Sequence, residues 1–171
     1  ALDRADVALL IIDASTGLQA QDLHVAGSVI DAGKGLVIVM NKWDLVDKDG
    51  FTFDTAMGLI RRQAPFLDFA TIVSISALTG LRATKVLDAA IAAADARQLR
   101  IPTGALNRLV AEAVARQGPV HSGSKRPKIL YAAQAATPPP TFVLFARNAA
   151  QVHFSWQRFL ENQIREKYPL M

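Results

Sequence analysis

The chain has 171 residues, of which 51% are hydrophobic, so it can bury one large core or two small ones. It has no cysteine, which excludes disulfides and thiolate metal sites, and its three histidines (His24, His121 and His153) are too scattered to indicate a metal site. The net charge is +4, and no apolar run approaches the roughly 18 residues of a membrane span. Because a secretion signal is also lacking, we expect a cytoplasmic protein that does not bind a membrane.

Strand-like and helix-like segments alternate along the first hundred residues. Val7 to Ile12 is a continuous apolar run that predicts a strand buried on both faces. Apolar residues at helical spacing, closed by Gly33, then predict a helix of about three turns. Strands are predicted at Leu36 to Met40 and at Thr71 to Ile75, with a helix from about Thr55 to Gln63 between them. This order predicts an α/β fold, a parallel sheet with helices on both faces.

A long helix closes this half, with one apolar stripe at Val86, Leu87, Ala90, Ile91 and Ala94. The following stretch contains a proline and a glycine, which break the pattern. We therefore predict one domain over residues 1–98, a linker over 99–104 and a second domain over 105–171.

The second domain is predicted to be a small α+β unit in the order helix, strand, strand, helix. Its strands are Lys128 to Gln134 and Thr141 to Phe145, separated by three prolines that no sheet ladder tolerates. The apolar positions of the two helices are Leu106, Leu109, Val110, Ala113 and Val114, then Trp156, Phe159, Leu160 and Ile164.

Positive charge is concentrated in the second part. Residues 1–100 carry ten Lys or Arg against twelve Asp or Glu, whereas residues 101–171 carry nine against three. This asymmetry favours a polyanionic partner such as nucleic acid for the C-terminal part, although an ordinary solvated basic surface gives the same count.

Two short motifs follow two predicted strands. Asn41-Lys42-Trp43-Asp44 lies just past one strand, and Ser76-Ala77-Leu78 lies just past the next. Ligands of parallel α/β sheets bind beyond the carboxyl ends of the strands. Taken singly, each motif has a plain structural explanation, because Asp44 suits a turn, Lys42 suits solvent and Ser76 suits a helix cap.

Together the two motifs resemble the base-reading sequences NKxD and SAL/SAK of the GTPase superfamily. The resemblance extends to the EngA/Der family of bacterial GTPases. ADVALLIIDAS and AGKGLVIVMNKWDLV are similar to the second GTP-binding domain of that family. YAAQAATPPPTFVLFARN and HFSWQRFLENQIREKY are similar to its C-terminal KH-like domain.

The resemblance implies a partial P-loop-GTPase-type sheet followed by a KH-like domain, in a protein that hydrolyses GTP with Mg²⁺ and acts in assembly of the large ribosomal subunit. It assigns guanine recognition to Asp44, whose carboxylate accepts from two donors on one edge of the base. Asn41 would contact the opposite edge and join the two loops, and Lys42 would lie across the nucleotide. The Ala77 N–H would face the guanine carbonyl, Ser76 would support the Asp44 loop, and Leu78 completes the motif.

Other family motifs are missing from this sequence. It has no glycine-rich loop ending in Gly-Lys-Ser/Thr and no DxxG motif, so the ligands of the phosphates and of Mg²⁺ are not among these residues. We therefore expect the chain to begin inside a GTP-binding domain, to expose a sheet edge and to hydrolyse no GTP by itself. By the same resemblance, the KH-like domain should lack its last strand.

The second domain also lacks the GxxG loop with which KH modules hold a nucleic-acid backbone. Contact with rRNA is therefore predicted through basic side chains, namely Lys125, Arg126, Lys128 and Arg147. Two rival hypotheses stay open at this point: a stand-alone RNA-binding module with a non-catalytic α/β scaffold, and an unrelated α/β enzyme that matches both motifs by chance. Binding of guanine nucleotide separates the first rival from the GTPase hypothesis.

Overall fold

A computed structural model describes residues 2–46, 52–121 and 124–170. Its strands are β1 (Val7–Asp13), β2 (Gly35–Asn41), β3 (Thr71–Ser74), β4 (Lys128–Ala136) and β5 (Thr141–Arg147). Its α-helices are α1 (Ala20–Asp31), α2 (Phe53–Gln63), α3 (Thr84–Ala96), α4 (Thr103–Arg116) and α5 (Phe154–Lys167). None of these helices is long and apolar enough to cross a membrane. The chain divides into two compact units, residues 1–96 and 97–170.

The first unit is a parallel sheet in the order β1-β2-β3, with helices on both faces, as the sequence predicts. The central strand β2 is almost completely buried, because both of its faces are covered. On one face its residues pack with α1 and α2, through buried positions such as Ala26 and Ile60. On the other face Val37 and Val39 pack against α3. This is the double covering that continuous apolar strands require.

Two predictions about burial in the first unit are wrong. The strand β1 lies at one edge of the sheet, and its side chains Leu9 and Ile11 are exposed instead of buried. In α3 the buried stripe is Val86, Ala89, Ala93 and Ala96, whereas Leu87 and Ile91 are more than 60% exposed. The helix α3 packs against β2 through Val86, Ala89 and Ala93, and this contact buries neither Leu9 and Ile11 nor Leu87 and Ile91.

The second unit packs α4 and α5 against one face of the antiparallel hairpin β4–β5. Trp156 of α5 is the largest side chain that is completely buried, and its indole N–H donates to the Gln117 carbonyl over 2.8 Å. Leu160 and Ile164 follow on the same buried stripe of α5, as the sequence predicts.

The predicted linker has a different role in the structure. Ile101 is buried in the core of the second unit, and Leu99 packs against the same core. The Gln134 side chain of β4 binds this segment twice, because its amide accepts from the Ile101 N–H and donates to the Leu99 carbonyl, each over 2.8 Å. Residues 99–102 are therefore part of the second unit. The polar and basic segment from His121 to Pro127 lies partly outside the described residues, since it includes positions 122 and 123.

Candidate functional site

The pairing of β2 with β3 brings the two predicted motifs to one edge of the sheet. The strands run parallel with Met40 opposite Ser74, so both carboxyl ends point the same way. The pairing continues beyond β3, because the Ile75 N–H donates to the Met40 carbonyl and the Trp43 N–H donates to the Ile75 carbonyl, over 2.9 and 3.0 Å. Backbone bonds therefore hold the first motif directly against the second.

Asn41 joins the two loops through its side chain. Its Oδ1 atom accepts a hydrogen bond of 2.9 Å from the Ala77 N–H, although the two residues are 36 positions apart. The resemblance to GTPase motifs implies this joining role for Asn41. The same bond gives the Ala77 N–H, which we expected to face a guanine carbonyl, a partner within the protein. A ligand carbonyl at this position would have to share that N–H with Asn41.

Ser76 forms a side-chain hydrogen bond within its own loop, and its expected support of the Asp44 loop stays a prediction. Its side chain is completely buried, and its hydroxyl accepts from the Thr79 N–H over 3.2 Å. The backbone bond from Trp43 to Ile75 described above holds the Asp44 loop. Leu78 follows as an exposed side chain of the Ser76 loop.

Asp44 lies in a short 3-10 turn, Trp43–Leu45, directly after β2. Trp43 anchors that turn, since its ring is buried in the core and meets Phe53 edge-on at 6.0 Å between centroids. Asp44 itself is exposed. Within the part of the chain that the structure describes, no hydrogen bond or ion pair involves its carboxylate. A rigid anchor thus presents a carboxylate that is open to a ligand.

Lys42 adopts a backbone conformation that is unusual for a residue with a side chain. Its φ is +60°, in the left-handed region, which costs about 1 kcal/mol or more for a non-glycine residue. Its Nζ atom lies 2.7 Å from the Asp13 carboxylate at the end of β1. The ion pair holds the Lys42 side chain along the carboxyl edge of the sheet, beside the Asp44 turn.

Asp13, at the end of β1, also belongs to this edge, and its position in the sequence predicts a structural role. Hydrogen bonds from Lys42 and from the Ser15 side chain and backbone lower the pKa of its carboxyl from 3.8 to about 2. In turn, the bond to Asp13 raises the pKa of Lys42. The only signal in the sequence is the position of Asp13, the first polar residue after the apolar run.

The four basic residues predicted to bind RNA are exposed in the second unit. Lys128 and Arg147 stand opposite each other on β4 and β5. Arg126 lies nearby, because its carbonyl accepts from the Asn148 side chain, while Lys125 precedes it on the connecting segment. None of the four forms an ion pair within the described ranges, so their charges are available to a ligand.

Comparison with known families defines first the class of protein. Residues 1–96 match the family described as the elongation factor Tu GTP binding domain. Because this match covers more than half of the chain, the chain belongs to that family of GTP-binding domains.

The second unit specifies the type. Residues 100–171 match the KH-domain-like C-terminal domain of EngA bacterial GTPases. The chain is 45% identical over 169 residues to the GTPase Der of Alkaliphilus oremlandii and 46% identical over 170 residues to that of Chloroflexus aggregans. Each comparison covers 98% of this chain but only 38% of the relative. The resemblance to EngA/Der GTPases is therefore confirmed, for a chain that spans well under half the length of these relatives.

Two solved structures match the chain at lower sequence identity. The chain is 20% identical to Era of Aquifex aeolicus bound to GDP and AlF4⁻, with 97% of this chain and 61% of that one covered and a TM-score of 0.44. It is 19% identical to the apo form of translation elongation factor SelB of Methanococcus maripaludis, with 55% and 21% covered and a TM-score of 0.46.

Proposed function

We propose that the first unit recognises the guanine base of GDP and GTP. The observation that carries this proposal is the 2.9 Å bond between Asn41 Oδ1 and the Ala77 N–H, which joins the two motifs at the carboxyl edge of the sheet. Membership of a GTP-binding domain family supports the same conclusion. The nucleotide would lie against Asn41, Lys42, Asp44 and the Ser76 to Leu78 loop.

Asp44 is the residue that would select guanine. The N1 and N2 edge of guanine offers two parallel donors, and an ionised carboxylate accepts both in one bidentate arrangement. Adenine presents an acceptor where guanine has its N1 donor, so a bound adenine would leave the carboxylate without its bonds. Once the bound base shields the carboxylate from water, an unsatisfied partner of this kind costs about 1–3 kcal/mol or more, which is sufficient to discriminate between the two bases.

Calorimetric titration of the chain with GDP and with ADP tests this proposal. We expect GDP to bind and ADP to bind much more weakly or not at all. Replacing Asp44 by alanine should abolish the preference, whereas the same replacement of Asp54, an exposed carboxylate in the first turn of α2, should leave it unchanged. Equal binding of GDP and ADP would contradict guanine recognition. If neither binds, the same titration on the complete protein decides: absence of GDP binding there would favour the rival hypothesis, an RNA-binding module whose α/β unit is a scaffold.

We further propose that the chain is part of a GTP-hydrolysing protein that acts in assembly of the large ribosomal subunit in the cytoplasm. The support is the similarity to proteins named GTPase Der, of which this chain spans 38%. The described residues contain no group of three or more side chains able to hold a metal ion, and we assign none of them to the Mg²⁺ that accompanies GTP. Their contribution to hydrolysis would be to bind and orient the base.

Contact with rRNA is proposed for the second unit, through Lys125, Arg126, Lys128 and Arg147. Cations that neutralise phosphates release counterions, so the affinity should fall steeply as salt concentration rises. We expect Arg126→Glu to weaken binding of an rRNA fragment and to flatten this salt dependence. The matched control is Lys85→Glu, which reverses an exposed charge on α3 in the other unit. An affinity that neither salt nor Arg126→Glu changes would contradict the proposal.

A further inference from the structure

The hairpin β4–β5 has one face that the core of the second unit does not use. Strand register places on this face the pairs Lys128 with Arg147, Tyr131 with Phe145, and Ala133 with Val143, followed towards the turn by Ala136 with Thr141. We call the first six of these residues the open face. The opposite face carries Ala132, which is completely buried, together with Phe142 and Leu144, which pack against the core.

Two aromatic rings lie exposed at the centre of the open face. Tyr131 and Phe145 stack nearly parallel, with 4.2 Å between centroids and 14° between planes. Both rings stay in solvent to a large extent, 49% for Tyr131 and 40% for Phe145, and Val143 beside them is 39% exposed. Single exposed apolar residues are common on protein surfaces, whereas contiguous ones are typical of a binding surface.

Positive charge borders the aromatic pair on the same face. Lys128 and Arg147 are direct cross-strand partners, and like charges in that position destabilise a sheet unless something compensates them. Residues 113–160 contain six Lys or Arg and no Asp or Glu, so no acidic side chain of this segment is available to do so. From Val143 to Arg147 the face extends about 13 Å at the usual rise of a strand, which places the cations within reach of a ligand on the rings.

We propose that the open face binds single-stranded nucleic acid, with an unpaired base on the Tyr131–Phe145 stack and adjacent phosphates at Lys128 and Arg147. Aromatic rings hold bases of any sequence by stacking, and cations beside them hold the backbone. In a duplex the base faces are already stacked and out of reach of these rings. The inference rests on the proposed RNA binding of the second unit and specifies what kind of RNA it takes.

The test compares the affinity of the chain for an unstructured single-stranded RNA, the same sequence as single-stranded DNA, and the RNA as a duplex, by fluorescence anisotropy. The test variant carries Tyr131→Leu and Phe145→Leu, which keep the face apolar and remove the rings. We expect it to bind single strands more weakly by on the order of 10-fold and to bind the duplex unchanged. Phe154→Leu is the matched control, because Phe154 is an exposed phenylalanine of the same unit outside the open face.

Different results would overturn RNA binding by the second unit and base stacking on the open face. If Arg126→Glu weakens all three ligands while the leucine variant binds single strands as the unaltered chain does, the stacking inference is wrong and RNA binding stands. If neither change has an effect, both are wrong. A ratio of RNA to DNA affinity near one indicates that stacking and charge suffice for binding. A preference for RNA indicates an added contact with the 2′-hydroxyl. Both outcomes support binding at the open face, provided that the leucine variant binds the single strands more weakly.

Photo-crosslinking of the unaltered chain gives a second measurement that does not depend on a variant folding. Ultraviolet irradiation of the complex with single-stranded RNA should attach nucleotides at Tyr131 or Phe145, as identified by mass spectrometry of the peptides. Crosslinks confined to other residues would overturn the proposal. The proposal would also be overturned if a protein partner covers the two rings in place of nucleic acid, since RNA would then form no crosslink at Tyr131 or Phe145.

Discussion

Replacing Asn107 by alanine removes an amide that completes the hydrogen bonding of β4. In the structure Asn107 Oδ1 accepts from the Ala132 N–H and Asn107 Nδ2 donates to the Ala132 carbonyl, each over 2.8 Å. Ala132 is completely buried, so water does not replace these bonds. Two unsatisfied backbone groups at about 1–3 kcal/mol each predict a loss of about 2–6 kcal/mol in the free energy of unfolding of the second unit. That corresponds to a melting temperature lower by on the order of 10 °C or more for a unit of this size.

Tryptophan fluorescence during thermal or urea unfolding measures this loss. In a Trp43→Phe background the signal reports the second unit alone, because Trp156 is buried in its core. The control is Asn162→Ala, which replaces an exposed asparagine on α5 and so makes the same change in helix propensity without touching β4. If the two alanine variants agree within about 0.5 kcal/mol, the reasoning about Ala132 is wrong.

Two further predictions concern the carboxyl edge of the first unit. Because the pKa of Asp13 is lowered, its ion pair with Lys42 stabilises the fold above about pH 3.8, and this stability is lost as the pH falls towards 2. Carbon NMR should show the Asp13 carboxyl titrating near 2. Lys42→Ala should move the midpoint of that titration back towards 3.8. An unchanged midpoint would show that Lys42 is not the main cause. Asn41→Ala removes the hydrogen bond to Ala77, so we expect calorimetry to show weaker GDP binding. The affinity should fall about tenfold if the lost bond contributes about 1.4 kcal/mol. An unchanged GDP affinity would show that this bond does not organise the site.

The sequence predicts the secondary structure well where apolar periodicity is strong. The helix predicted to end at Gly33 occupies Ala20–Asp31, and Gly33 has the positive φ of +64° that such a stop requires. The strand predicted at Leu36 to Met40 occupies Gly35–Asn41. Both follow from local chemistry, since a few neighbouring residues determine the turn and the strand. The alternation of strand and helix then determines the parallel sheet.

Burial on a given face depends on distant partners, and here the sequence was less informative. The apolar stripe of α3 was predicted with Leu87 and Ile91 inside, yet the helix turns Ala89 and Ala93 towards β2. Both sets have helical spacing, so periodicity alone does not choose between them. The role of Gln134 as the anchor of residues 99–102 also arises from contacts more than 30 positions apart, which no local pattern reveals.

The sequence predicts the location of the candidate site, because the ends of the strands determine where the two motifs lie. Both motifs were expected at the carboxyl edge, and the parallel pairing of β2 with β3 places them there. The side-chain bonds within that edge do not follow from the sequence pattern: Asn41 Oδ1 accepts from the Ala77 N–H, and Lys42 forms an ion pair with Asp13. The functional assignments of these residues stay predictions until nucleotide binding is measured.

The most direct test of guanine recognition is an exchange of base preference at Asp44. In Asp44→Asn the side-chain amide keeps one acceptor and gains a donor, which matches the N1 donor and the extra carbonyl of xanthine. Calorimetry should show GDP binding lost and xanthosine diphosphate binding gained, while Asp54→Asn changes neither. Retention of GDP binding by Asp44→Asn, without any gain for xanthosine diphosphate, would contradict the assignment of Asp44 as the residue that reads the base.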